Sequence, residues 1–310
     1  MKAAVVNDFS QPPRYEDFHD PVANRIDDVV VEVLAAGLHP RVRSQAGGFH
    51  YTSTGELPLI PGIDAVVRDP AGKLRYAILD DTTRGTMAER AVIELDRSVV
   101  LPDTIDPVVV AAAMNPAMSA WVALRRRIDF GVGRQVVILG ATGNAGRMAI
   151  QVAKRFGASR VIAAGRDTAK LAELTALGAD EICTFDQLAR AADVDVVIDY
   201  VWGEPTGVAM VEILSNRADR GQPLTWLEIG AIAGPEAAIP AAALRSTRLQ
   251  IVGSGIGSVS GRDFAEELPK LAEAVAEGAL DVRAKAIPLA EVEMAWTSTA
   301  GTSDRIVLVP

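Results

Sequence analysis

The chain has 310 residues, 49% of them hydrophobic and 5% aromatic, with a formal net charge of −9 and one cysteine. That length suits two domains, the acidic balance speaks against a nucleic-acid partner, and Cys183 alone admits neither an intramolecular disulfide nor a multi-cysteine metal site. Apolar residues fall in short runs, none near the ~20 that a bilayer span requires, so no membrane partner is expected and cytoplasmic residence is the default.

MKAAVVND at the start meets charge at Asp8, too early for a signal-peptide apolar core, and reads as a first strand. DDVVVEVLAAG, GIDAVVRD, LRYAILDD and RAVIEL follow as β-branched, alternating runs. Asp69-Pro70-Ala71-Gly72 makes a turn between two of them. Together they predict a mostly antiparallel β domain. The texture changes near Trp121, and the run Arg125-Arg126-Arg127 reads as a solvated helix end.

From Arg134 strands and helices alternate. Val136–Leu139 is followed by the helical pattern NAGRMAIQVAKRF, closed by Gly157. VIAAG precedes DTAKLAELTAL, opened by Asp167 and closed by Gly178. EICTF, VDVVIDYV, LTWLEIG and LQIVGSG complete six nearly continuous apolar runs, as strands covered on both faces must be. This alternation predicts an α/β doubly wound parallel sheet. A helix over roughly Asp263–Glu277 and a last strand, RIVLV, return to complete the first domain. The predicted division is therefore 1–120 completed by 258–310, with 121–257 between.

The strongest motif is Gly140-Ala141-Thr142-Gly143-Asn144-Ala145-Gly146. Its GxxGxxG spacing is a variant of the dinucleotide fingerprint, and it gains meaning by following a buried strand and opening an amphipathic helix. Small residues let the backbone approach a pyrophosphate, and the helix N-terminus offers free N–H groups and a positive pole. Nucleotide choice is read at the next strand end, where an NAD-binding site usually places an acid about 20 residues on. Gly165 and Arg166 stand there instead. The glycine removes the carboxylate that would repel a 2′-phosphate, and the arginine offers a planar, permanent charge to it. NADPH is the expected cofactor, with Asp167 reserved for the helix cap.

VVVEVLAAGLHP, PLIPGID, GTMAERAVI, GATGNAG, VVIDYVWG and RIVLVP, in that order over the whole chain, resemble the zinc-independent quinone oxidoreductase branch of the medium-chain dehydrogenase/reductase superfamily, which includes zeta-crystallin. The resemblance implies a GroES-like catalytic domain, a Rossmann domain, NADPH in a cleft between them, and often a homodimer joined through the strand here written LQIVGSG. Zinc-dependent relatives carry a cysteine in the segment matching Ala36-Gly37-Leu38-His39 and a His-Glu pair matching Gly62-Ile63-Asp64. Leu38 and Ile63 stand where ligands would be wanted, and the lobe for structural zinc is missing, so no metal is expected. His39-Pro40 replaces the usual Asn-Pro of quinone reductases, and Val42 stands where an Asp is frequent.

Without Lewis-acid help, the acceptor must be electrophilic by itself, as a quinone or an enone is. HPRVRSQAGGFHYTS lines the cleft by family position. Tyr51 or His50, within one residue of alignment, is the expected proton donor, matching a tyrosine of the enoyl-reductase branch. His39 is read either as a cleft-wall residue or as a hydrogen-bonded structural histidine. Arg41 and Arg43 are read as surface arginines or contacts for an anionic acceptor, His19 as solvated, and Cys183 as a small buried hydrophobe. Asn115 and Ser119, set before the helix that enters the second domain, match a Gly-Leu-Thr-Ala stretch near the nicotinamide. Gly230, Ala231 and Ile232, with Gly253 and Ser254, end the fifth and sixth strands and should flank the same ring. Two alternatives stand beside a quinone or enone reductase: an enoyl-thioester reductase, and an NADPH-binding sensor or structural protein with little turnover.

Overall fold

The computed structural model describes residues 1–298 and 304–310. In chain order it begins with strands β1 (Lys2–Val5), β2 (Arg14–Asp17) and β3 (Asp28–Gly37), helix α1 (Pro40–Ala46), then β4 (Asp64–Arg68), β5 (Leu74–Ile78), β6 (Arg90–Glu94) and β7 (Ser98–Val100). Helix α2 (Pro107–Val122) leads to β8 (Gln135–Leu139), α3 (Asn144–Arg155), β9 (Arg160–Ala164), α4 (Thr168–Ala172) and β10 (Glu181–Cys183). After β11 (Val196–Asp199) come α5 (Gly203–Ser215), β12 (Leu224–Glu228), α6 (Ala241–Ser246) and β13 (Leu249–Gly253). Helix α7 (Gly261–Ala276), β14 (Ala284–Pro288), α8 (Val292–Thr297) and β15 (Arg305–Val309) close the chain. Two compact units result, residues 1–115 with 265–310, and residues 116–264.

The first unit is built on a sheet of order β14-β15-β3-β4-β5-β7, with β6 also on β3. Its pairings are antiparallel except β14 on β15. The β4–β5 turn is the one expected at Asp69: Gly72 N–H donates to the Asp69 carbonyl at 2.8 Å, and the Asp69 carboxylate accepts from Ala71 and Lys73 N–H, both at 2.9 Å. Val31, Val33, Ala65, Val67, Ile93 and Leu308 fill the core beneath the sheet. Short β2, β7 and β14, and α1, were not foreseen.

The second unit is a six-stranded parallel sheet of order β10-β9-β8-β11-β12-β13. Its order reverses between β8 and β11, and in sheets of this kind ligands bind outside the carboxyl ends of the strands at such a switch point. Val137, Leu139, Ile162, Val197, Ile198 and Trp226 are buried to 2% exposure or less, matching the nearly continuous apolar runs of the sequence. The α/β class read from strand–helix alternation is the class observed.

Two expectations need correction. Asn115 and Ser119 lie inside α2 rather than ahead of it, with Pro116 in the helix interior. The helix then widens into a π-helical stretch, Ala123–Arg127. Together these residues form a continuous 21-residue helix, Pro107–Arg127, long and apolar enough to cross a membrane by length and composition. It was missed because Asn115 and Pro116 break the apolar run. Most of the segment is buried within the protein, and that burial is the mark of a core helix.

Candidate active site

In the second unit, β8 ends at Leu139 and the chain turns through Gly140 at φ +80°. The Gly140 and Ala141 N–H groups both donate to the Ala164 carbonyl, at 3.1 and 3.0 Å, which ties the loop to the end of β9. Gly146 explains why the third glycine is needed. A Cβ there would stand 2.5 Å from the Gly140 carbonyl oxygen and 2.6 Å from Ala141 Cα, both backbone, so α3 packs closer to the loop than any side chain allows. Gly143 differs: it is exposed, and a Cβ there would meet nothing nearer than the Gly140 carbonyl oxygen at 3.5 Å. The first helical bond of α3 runs from Arg147 N–H to the Gly143 carbonyl at 2.9 Å. The N–H groups of Asn144, Ala145 and Gly146 are therefore those a helix start leaves for outside acceptors, and Gly143 offers no capping side chain to take them. Thr142, Asn144 and Ala145 are half-buried around this mouth, and Ala141 is fully buried. A cradle with an open face over three backbone donors fits a dinucleotide pyrophosphate.

At the end of β9, Gly165 is buried against Thr142 and Leu171, whereas Arg166 is exposed. Asp167 caps α4, its Oδ1 accepting from Ala169 and Lys170 N–H at 3.0 and 3.1 Å. Its carboxylate is thus turned to the helix. The ends of β12 and β13 are arranged by backbone contacts: Gly230 N–H reaches the Asp199 carbonyl, and Ser254 N–H reaches the Glu228 carbonyl at 2.8 Å. Ala231, Ile232 and Gly253 are exposed there. Ser119 donates to the Pro116 carbonyl at 2.7 Å and lies 2.9 Å from the Tyr200 hydroxyl, whose pKa burial pushes up. Asn115 is half-buried in α2.

The sequence reading gave no role to Asp199. This carboxylate, fully buried at the end of β11, accepts from Val201 and Trp202 N–H, Thr206 Oγ1 and Trp226 Nε1, at 2.6 to 3.1 Å. It holds Trp202 at φ +49°, a left-handed conformation that costs a non-glycine residue free energy. An acid set in the apolar run VVIDYV was the available signal, because a buried charge must be paired or fully hydrogen-bonded. Its neighbour Glu228 has its carboxyl pushed up by burial and by Asp199.

In the first unit His39 is 2% exposed, and its Nε2 lies 2.9 Å from Asp64 Oδ1. Tyr76 donates to the other oxygen at 2.8 Å. Burial outweighs Asp64 and lowers the His39 pKa, so the ring is neutral near pH 7. Burial likewise lowers Arg305, to about 10, where it donates to the Leu38 carbonyl. Leu38 and Ile63 pack into the apolar core. Among the described residues no group of three or more His, Cys, Asp or Glu is placed to hold a metal. Arg43 is committed to the Ala295 and Trp296 carbonyls and lies over the Trp296 ring. Arg41 lies half-buried 3.9 Å from Asp81. His50 is largely buried, and the ring of Tyr51, 73% exposed, stacks on it at 4.3 Å. His19 edges Phe18. Burial raises the Cys183 thiol to about 11, which keeps it an unreactive thiol.

A family model described as zinc-binding dehydrogenase matches residues 145–277. A relative described as "Probable NADPH-dependent quinone reductase", from Emericella nidulans, is 29% identical over the whole of both chains. An NADPH-dependent alkenal/one oxidoreductase of Arabidopsis thaliana is 30% identical over 50% of this chain and 44% of its own. Among solved structures, the quinone oxidoreductase of Thermus thermophilus, crystallised also with NADPH, superposes with a TM-score of 0.84 at 27% identity, covering both chains completely. A thermostable alcohol dehydrogenase from Pyrobaculum aerophilum shares the fold at 22% identity and a TM-score of 0.82.

Proposed function

We propose that the chain, which is similar over its whole length to NADPH-dependent quinone reductases, belongs to the zinc-independent quinone oxidoreductase branch of the medium-chain dehydrogenase/reductase superfamily and is an NADPH-dependent reductase of quinones and related α,β-unsaturated carbonyl compounds. The observation that carries this is the cradle: Gly146 closes α3 onto the loop, while Gly143 stays open over the N–H groups of Asn144 and Ala145. When bound, NADPH supplies the hydride. The chain's part is to bind and orient it and to manage a proton.

Gly140–Gly146 takes the pyrophosphate, and Arg166, exposed beside a buried Gly165 that brings no charge, takes the 2′-phosphate. Gly230, Ala231, Ile232, Gly253 and Ser254 offer backbone at the strand ends, with Asn115 and Ser119 as further contacts for the nicotinamide. His50 or Tyr51 exchanges the proton that follows the hydride, and His39 with Asp64 and Tyr76 supports the wall behind them. The unit of residues 1–115 with 265–310 is read as the GroES-like catalytic domain and that of 116–264 as the nucleotide domain, beside sequence boundaries of 1–120 with 258–310 and 121–257. The name of the Arabidopsis relative supports enones as acceptors beside quinones. A homodimer rests on the edge position of β13.

The test is NADPH oxidation, followed by absorbance, with a simple quinone, an enone and a crotonyl thioester in parallel. Turnover of the first two supports the reading. Turnover of the thioester alone makes the protein an enoyl-thioester reductase, and turnover of none makes it a nucleotide-binding protein without this activity.

A further inference from the structure

Four polar side chains of the first unit converge on Asp81, just beyond β5. Its side chain is 6% exposed. Oδ1 accepts from Gln45 Nε2 at 2.6 Å, and Gln45 Oε1 accepts the Gly62 N–H at 2.9 Å, which anchors this oxygen to the core. Oδ2 accepts the hydroxyl hydrogen of Thr52 in a short hydrogen bond. A hydroxyl has only one hydrogen. Once it is given to Asp81, Thr52 Oγ1 meets His50 Nδ1, 2.6 Å away, with a lone pair, so Nδ1 must bring the hydrogen. The Thr52 backbone N–H also points at this nitrogen, 3.3 Å away, and would want a lone pair there; that long contact competes with the 2.6 Å one, and the shorter bond decides the tautomer.

The order carboxylate, hydroxyl, Nδ1–H is unchanged whether the ring is neutral or cationic. Only Nε2 then differs between the two states. The groups facing the ring are Arg41 and His39, which oppose a positive charge, Asp81, which favours it, and the stacked Tyr51. Burial is the largest influence and, with Arg41, holds the His50 pKa below its usual value.

We propose that Asp81, acting through Thr52, is the positioning residue for His50: it holds the ring in the Nδ1–H tautomer and leaves Nε2 as the one ring atom that exchanges a proton with the acceptor. The proposal rests on the reading of His50 as the proton-exchanging side chain. Of the two candidates in the loop it selects His50, with Tyr51 as the ring stacked on it.

The experiment is long-range nitrogen–proton NMR of the full chain labelled with ¹⁵N-histidine, recorded against pH. The chain has three histidines, and His50→Gln assigns the signal. The expected result is the Nδ1–H tautomer in wild type and Thr52→Ser, its loss in Thr52→Val, and a downward shift of the His50 pKa in Asp81→Asn. An Nε2–H tautomer in wild type, an unchanged tautomer in Thr52→Val, or a Thr52→Ser protein that behaves like Thr52→Val overturns the proposal. Activity separates it from the function reading. His50→Gln should lower enone turnover by about 10²-fold or more, in kcat rather than KM. The wild-type rate should rise as pH falls through the His50 pKa, and that rise should move to lower pH in Asp81→Asn. If the NMR result holds while turnover ignores His50, the tautomer relay stands and the role of His50 in proton exchange falls.

Discussion

Two glycines three residues apart, Gly143 and Gly146, should respond oppositely to the same methyl group. In Gly146→Ala the new Cβ would meet backbone at 2.5, 2.6 and 2.8 Å. No side chain can rotate away, so α3 must lift from the loop, and overpacking of this kind costs about 1–3 kcal/mol. In Gly143→Ala the Cβ has 3.5 Å of room, and the backbone at φ −75° and ψ 164° suits alanine. The unfolded chain loses freedom, a gain of about 0.4–1 kcal/mol. Alanine is a poorer N-cap than glycine, so the two effects nearly cancel and stability should stay within about 1 kcal/mol of wild type. Binding should not be spared. The methyl occupies the face over which Asn144 and Ala145 N–H meet a phosphate, and each charge-assisted hydrogen bond lost is worth about 1.5–3 kcal/mol, or roughly 10- to 150-fold in Kd. Denaturant unfolding without ligand, together with calorimetric titration of NADPH, reads both quantities. Gly143→Ala that binds NADPH like wild type, or that loses as much stability as Gly146→Ala, would refute this account of the cradle.

Arg166→Ala should weaken NADPH by roughly 10- to 100-fold and leave NADH nearly unchanged, measured as the two Kd values; equal losses would remove Arg166 from the 2′-phosphate. Purified protein should carry no stoichiometric zinc by elemental analysis and keep its activity in a chelator, and zinc lost together with activity would reverse that reading. Strand β13 is an edge of the parallel sheet and presents a row of backbone groups that proteins usually cover. Light scattering should therefore show the mass of a dimer, as a symmetric pairing of this edge requires, and a monomer at micromolar concentration would dismiss the proposed pairing.

The nucleotide half was readable because its signals are local. The run of β8, the spacing Gly140–Gly143–Gly146 and the cap at Asp167 each express a constraint within a few residues. Helix α1 was not readable: it buries only Val42, Gln45 and Ala46, too few apolar positions to show a period. The position of Asn115 and Ser119 ahead of a helix follows only from their match to the Gly-Leu-Thr-Ala stretch, whereas the buried α2 runs through both and carries Pro116 in its interior. The Asp81–Thr52–His50 chain was invisible for a different reason. Its members lie up to 31 residues apart in sequence, and only the closing of the sheet brings a carboxylate to a loop histidine. Asp199 lay in plain sight within VVIDYV, but its partners Thr206 and Trp226 follow 7 and 27 residues later.

The packing of Leu38 and Ile63 bears on how a metal site could be regained. Both side chains are buried, at 5% and 1% exposure, and both belong to the core of the first unit. A cysteine in place of Leu38 would leave a cavity, and a histidine in place of Ile63 would set a polar ring among aliphatic side chains, each costing on the order of 1–3 kcal/mol. The apoprotein would lose much of the roughly 5–15 kcal/mol that holds a typical domain folded before any metal bound. Reversal to a zinc enzyme is therefore not two substitutions away: the surrounding core would have to be rebuilt first, and each intermediate on that path would be less stable than its parent.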